Sequence, residues 1–482
     1  MAVALVALAA WLPSLRPYVA AAEDFSRVHV PDPSLAAYWN WALAQYRIEG
    51  LWRLVGFPFT DISRHVHPLG FPLFALASHA VNGLLLAHLL RRLKVGEFLS
   101  TWAALCFVAL PCAVEANMYS VASQSIQATT AFLLIASGLV GALRCASVSV
   151  WSLGLCFLAV LMGNAIQENL MFAYTVLPAS LAFVLWPRTE WSQETARAVA
   201  AYTMCTLLAI GTFVVVTMVA RTDPTKAPSL HLGTILSFPV HQTTNLIPYQ
   251  VWSHADLLGL VFRHESIATL VVSVVLLVAG LTLAMPTLVE RSVEADESAD
   301  ARARRLLGAA LALWYAAGFI YVLGGGYSFE SRKKYVTLAF LAIVGAVVAS
   351  RGVQAVSGRQ ARRGALGLAI GAIVLSAATT WVVSGLWVLE ARRGSALVSA
   401  IAARPDVTAV AVRFVPDLIS LWPQWRDVAS SQHHAAWVTE LEVFRRFGRT
   451  VHRVPAGQSS ATELECRYGE GFAATCNVRP SD

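Results

Sequence analysis

The residues of this sequence best suited to chemistry are acids and bases lying just outside long apolar runs. Glu23 and Asp24 follow the first such run. A carboxylate at the mouth of a membrane cavity is partly desolvated, which makes it a better proton acceptor and suits general-base catalysis. The plainer reading of the same position is a pair of interfacial acids marking a helix end. Arg332, Lys333 and Lys334 stand together in the stretch YSFESRKKY, residues 327–335. Three adjacent cations fit an anionic ligand such as a lipid phosphate, or else a basic loop resting on anionic headgroups. Arg47 and Arg53 lie among Tyr38, Trp39, Trp41, Tyr46 and Trp52. Their planar guanidinium groups can clasp a phosphate through paired hydrogen bonds, while the aromatic density around them suits an amphipathic helix in the headgroup layer. Glu115 stands at the end of another apolar run, and His79 lies inside one, a helical turn from Asn82. Polar groups at such depths face a bundle interior, a cavity or a partner charge rather than lipid; for His79 helix packing is the simpler role. His65 and His67 lack a third ligand nearby, so no metal site is expected. No cofactor is expected either, and a divalent-metal requirement stays open.

The elements that must position these residues are transmembrane helices. Of the 482 residues 57% are hydrophobic and 13% charged, about half the charge of an average soluble domain. Apolar runs of about 20 residues, the length that spans the hydrocarbon core, recur from end to end. Each must be helical, because backbone groups in lipid have to be satisfied within the segment. The net charge of +7 sits in short loops, where it acts as a topology signal and not as a nucleic-acid footprint.

Loop charges order the spans. The first run, residues 1–22, lacks a basic leader and is interrupted by Arg16 and Pro17, so it reads as a first helix and not a cleaved signal. Helix two ends at Arg91, Arg92 and Lys94, which places that loop in the cytoplasm. Helix three runs over about 99–114 and helix four over about 121–143, followed by Arg144. Later cytoplasmic loops carry Arg188 and Arg197, then Arg302, Arg304 and Arg305, then Arg351, Arg359, Arg362 and Arg363. Arg332, Lys333 and Lys334 break this pattern by falling on the outer face. The count is about eleven spans, the last ending at Leu389. The fold class is therefore an all-α polytopic membrane domain, residues 1–389, followed by a small extracytoplasmic α/β domain, residues 390–482.

The tail has strand patterns at 407–415 and 450–454, a helix at 435–447, and a hairpin around Gly469-Glu470-Gly471. Cys466 and Cys476 fall on opposite arms of that hairpin. On the outer face they are expected to form a disulfide.

In combination, several stretches resemble the GT-C class of polytopic glycosyltransferases, especially bacterial relatives of the transmembrane O-mannosyltransferases. They are Glu23-Asp24-Phe25 after helix one and the segment from Pro72 through His79 and Asn82 to Arg91-Arg92. Leu110-Pro111-Cys112-Ala113-Val114-Glu115-Ala116-Asn117-Met118-Tyr119-Ser120 follows, then Gln167-Glu168 with Leu177-Pro178, and last Glu330 to Leu338. Departures include Glu-Asp for an Asp-Asp pair, Leu110 for a His, and Gln167 for a Lys. The resemblance implies transfer of a sugar from a polyprenyl-phosphate donor, entering from the bilayer, to a glycan, lipid or protein acceptor at the outer face of a bacterial inner membrane. It implies Asp24 as the base with Glu23 beside it. Phosphate contacts would come from Arg332, Lys333, Lys334, Arg47 and Arg53, with Glu115 and His79 as further polar candidates for substrate binding. The C-terminus would be periplasmic. The competing readings are a lipid or glycolipid flippase, disfavoured because no paired hydrophobic halves are evident, and a non-catalytic membrane scaffold.

Overall fold

The computed structural model describes residues 1–16, 67–118, 124–146, 148–166, 170–220, 243–290, 297–318, 335–425, 440, 443, 450–454, 461–468 and 474–478. Six of the described helices are long and apolar enough to cross a membrane: α2 (Gly70–Arg92), α5 (Gln124–Arg144), α8 (Gln193–Ala220), α10 (Ile267–Glu290), α12 (Tyr335–Ala355) and α13 (Arg359–Ala402). Shorter apolar helices are α1 (Ala2–Trp11), α3 (Glu97–Ala109), α6 (Val150–Ile166) and α7 (Met171–Leu185); α11 (Glu297–Gly318) packs against α7 and α12. The protein is a multi-pass helical membrane protein, and every expected span overlaps one of these helices.

The third span departs from expectation. It ends at Ala109 because Leu110 precedes Pro111: the proline ring disfavours the helical region for the residue before it, and Leu110 is extended (φ −66°, ψ 127°). A short 3₁₀ turn, Pro111–Ala113, and a five-residue helix α4 (Val114–Met118) follow. Glu115 thus sits on a separate element after the break.

Helix α1 is buried at the centre, against α10, α3, α13 and α2. Two glycines let it in. A Cβ on Gly83 would meet Val108 at 2.5 Å and Val3 at 2.9 Å, and one on Gly280 would meet Val6 at 2.9 Å. Small residues at helix contacts allow this approach, which matters in lipid where packing has to replace the hydrophobic effect.

Loop contacts sort the bundle into two ends. At one, Arg91 donates to Glu97 at 3.0 Å, Arg302 to the Lys94 carbonyl at 2.7 Å, Arg351 to Asp300 at 2.9 Å, and Arg144 to the Arg92 carbonyl. These are the arginine-rich loops, and they lie at one end of the bundle. At the other end, residues near positions 14–16, 71–72, 117–118 and 387–392 line one pocket.

Helix α13 does not stop at Leu389. Its 44 residues, about 66 Å at 1.5 Å per residue, continue to Ala402, where Leu397, Val398 and Ile401 pack on the C-terminal sheet. That sheet has the order β2-β1-β3-β4, with β1 (Ala409–Val415), β2 (His452–Val454), β3 (Thr462–Tyr468) and β4 (Ala474–Val478). β1 is parallel to β2 and β3, and β3 pairs antiparallel with β4. Cys466 lies directly opposite Cys476 and the two form a disulfide. The expected helix at 435–447 lies outside the described residues apart from Glu440 and Val443.

Candidate functional site

The pocket at the second end is lined by Ser14 and Arg16 beyond α1, Phe71 on α2, Asn117 on α4, and Trp387 and Arg392 on α13. These positions come together because α1 ends in a 3₁₀ turn, Leu12–Ser14, against α13, while α4 packs against both α2 and α13. Arg16 Nη2 donates to Oε1 of Glu265, which also accepts from the Ser266 amide at 3.2 Å. Glu265 follows α9 (Ala255–His264) at the mouth of α10 and is buried. Burial lowers the proton affinity of Arg16, Glu265 opposes that effect, and the like charge of Arg392 adds to it.

A second assembly joins α13 to the sheet. Glu390 Oε1 accepts from Arg393 Nη2 at 2.5 Å and from the Tyr468 hydroxyl. Arg393 Nη1 donates to the Pro416 carbonyl at 2.6 Å, and its guanidinium lies 4.3 Å from the Phe414 ring centroid and 4.7 Å from that of Tyr468. This buried arginine is therefore held by a carboxylate, a carbonyl and two aromatic faces, the pairing that a buried charge requires. Burial pushes the Tyr468 hydroxyl well above its ordinary range, with the Glu390 carboxylate adding to the effect. Burial lowers Arg453, and the nearby Arg393 charge reinforces this.

A third assembly contains His79. Its Nδ1 accepts from the Tyr335 hydroxyl at 2.5 Å, and its Nε2 lies 3.2 Å from the Val108 carbonyl, which also accepts from Trp11 Nε1 at 3.0 Å. Asn82 donates to the Ile126 carbonyl at 2.9 Å and accepts from Thr130 at 2.7 Å. This network ties α2 to α1, α3, α5 and α12 within the bundle. The His79 side chain is buried in this network, and none of the residues lining the pocket is part of it.

Glu115 lies on α4, two residues from the pocket-lining Asn117. Glu23, Asp24, Arg47, Arg53, Arg332, Lys333 and Lys334 lie outside the described residues. Among the described residues no three metal-ligating side chains gather. Sequence reasoning missed Arg16, Glu265, Arg392 and the Glu390–Arg393 pair. Arg16 registered only as an interruption of an apolar run. A cation at the rim of a span, repeated at Arg392, was the available signal.

No family model matches the chain, and no curated protein matches it. Among solved structures, the chain is similar to ArnT from Cupriavidus metallidurans bound to undecaprenyl phosphate, over 96% of this chain and 92% of that one, at 13% identity and a TM-score of 0.35.

Proposed function

We propose that this chain is a membrane glycosyltransferase that moves a sugar from a polyprenyl-phosphate-linked donor to an acceptor hydroxyl at the outer face of a bacterial inner membrane. The observation that carries the reading is the gathering of Arg16, Glu265, Asn117 and Arg392 at one end of an apolar bundle. That end is also where the motif-bearing segments after α1, before α2 and along α4 emerge. A soluble nucleotide sugar is absent from the outer face, so a donor carried by a lipid phosphate fits a site built at a helix-bundle rim.

In this reading the acceptor oxygen forms a bond to the anomeric carbon while the bond from that carbon to the phosphate oxygen breaks. The products are the glycoside and polyprenyl phosphate. A neutral hydroxyl is a poor nucleophile, and a carboxylate taking its proton contributes about 10² to 10⁴ in rate. Asp24 is assigned that role, with Glu23 beside it. Arg332, Lys333, Lys334, Arg47 and Arg53 are assigned to the anionic phosphate, which gains charge as it leaves.

Asp24→Asn keeps the size and removes the charge. Transfer measured on membranes with a polyprenyl-phosphate sugar should fall by about two to four orders of magnitude while donor binding survives. Near-full turnover removes Asp24 from the mechanism. If Glu23→Gln then abolishes turnover, the base is the neighbouring residue. If neither substitution matters, the transferase reading fails.

A further inference from the structure

We infer that Arg92, Arg144 and Arg302, at the arginine-rich end of the bundle, form a binding site for the phosphate of an anionic phospholipid in the adjoining leaflet. The inference does not depend on the transferase reading. The three guanidinium groups come from α2, α5 and α11, and the charges of Arg92 and Arg302 both act on Arg144. Backbone carbonyls orient them: Arg92 donates to Ser137 at 2.7 Å, Arg144 to Arg92, and Arg302 to Lys94 at 2.7 Å. Such bonds fix a guanidinium fork without neutralising its charge. The place of Arg92 is built into α5, where Gly141 leaves the room; a Cβ there would lie 2.7 Å from Arg92 Nη2.

Carboxylates at this end are engaged by other arginines, Asp300 by Arg304 and Arg351, and Glu97 by Arg91. Arg302 has further interactions of its own, so the site rests on Arg92 and Arg144. Among the described residues neither of these two is bonded to a carboxylate. Topology alone requires arginines in a loop and does not require them to be gathered. Like charges repel, so cations brought together from three helices call for an anion to offset that repulsion. The surroundings favour a lipid over a free anion. Soon after Arg144 the chain enters α6, where Trp151, Leu155, Leu158 and Met162 recur at helical spacing on one exposed apolar face. A tryptophan at the end of such a face marks the headgroup level. A phospholipid held by its phosphate at the arginines can lay its acyl chains on this face, whereas a free phosphate would gain only the partly screened cations.

The test uses the full chain in detergent, titrated with dioleoyl phosphatidylglycerol or with zwitterionic dioleoyl phosphatidylcholine and read by native mass spectrometry. An arginine at a bilayer surface contributes about fivefold to the binding of anionic lipid. Arg144→Gln should therefore weaken phosphatidylglycerol binding about fivefold, and Arg92→Gln combined with Arg144→Gln about 25-fold, with phosphatidylcholine binding unchanged. Arg359→Gln removes the same charge from an exposed position at the same end and should leave the affinity at the wild-type value. Wild-type affinity in the double variant overturns the site. An equal loss in Arg359→Gln also overturns it, in favour of a diffuse headgroup anchor. Displacement of the lipid by an equal concentration of inorganic phosphate overturns the lipid in favour of a free anion. Should the double variant fail to fold, the wild type with a phosphatidylglycerol carrying a diazirine on its acyl chain replaces it. Crosslinks should concentrate on α6, and an even spread over α6 and the similarly exposed α10 overturns the proposal.

Discussion

The two ends of the helix bundle use charge in opposite ways. At the arginine-rich end the ion pairs are open to solvent: Arg351–Asp300 has side chains 42% and 35% exposed, and Arg91–Glu97 50% and 35%. At the other end Glu390–Arg393 is enclosed, 1% exposed on both sides, and Glu265 is buried against Arg16, while Arg467–Glu465 on the sheet stays open. Exposed pairs are screened and contribute about 0–1 kcal/mol. The cost of desolvating a buried pair is repaid only by good geometry and further hydrogen bonds, and removing one partner strands a charge. Charge at the first end therefore directs topology and tolerates change. At the second end the Glu390–Arg393 and Arg16–Glu265 pairs are built into the packing beside the pocket that Arg16 and Arg392 line.

Several measurements would break or sharpen this contrast. The largest expected effect is all-or-none. A reporter fused after Asp482 should be active as alkaline phosphatase and dark as a cytoplasmic fluorescent protein, because the loop-charge pattern puts the sheet outside. The opposite pattern would exchange the compartments of the two ends and remove the outer-face mechanism.

Next in size is Arg393→Ala, which leaves Glu390 buried without its cation. Unfolding of the detergent-solubilised protein should show a loss of about 3–5 kcal/mol. The change should appear first where α13 meets the sheet. A cost no greater than that of a solvent-exposed pair would erase the distinction between the ends.

The Cys466–Cys476 disulfide stabilises the same junction, since β4 packs against α13. Replacing Cys466 by Ser should cost about 3 kcal/mol in the chain-entropy account of a short loop. Limited proteolysis of the full chain would read this as faster cutting confined to the sheet. Uniform resistance would mean that α13 packing alone holds the strands.

The smallest effect belongs to Asp300→Asn, which removes the carboxylate shared by Arg304 and Arg351. Its thermal unfolding midpoint should move by the equivalent of about 1 kcal/mol or less, and less still at high salt. A shift as large as that of Arg393→Ala would make the arginine-rich end structural as well.

Hydropathy and loop charge are local properties of the chain, so the sequence by itself determined that the protein is a multi-pass helical membrane protein with a small C-terminal sheet. The β3–β4 hairpin and its disulfide were legible for the same reason, because turn residues and cysteine positions lie within one short segment. The break at Leu110-Pro111 was also written locally, yet the apolar run around it masked the proline. Only the tertiary structure decided which polar groups meet. Arg16 pairs with Glu265 across 249 positions, His79 with Tyr335 across 256, and Glu390 with Tyr468 across 78. Neither period nor composition encodes such distances. They follow from helices packing side by side in an order that the apolar pattern, alike in every span, leaves open. The continuation of α13 past Leu389 has the same origin. The apolar run ends where the bilayer would, but the helix goes on because the sheet covers its next turns and buries Glu390 and Arg393 together.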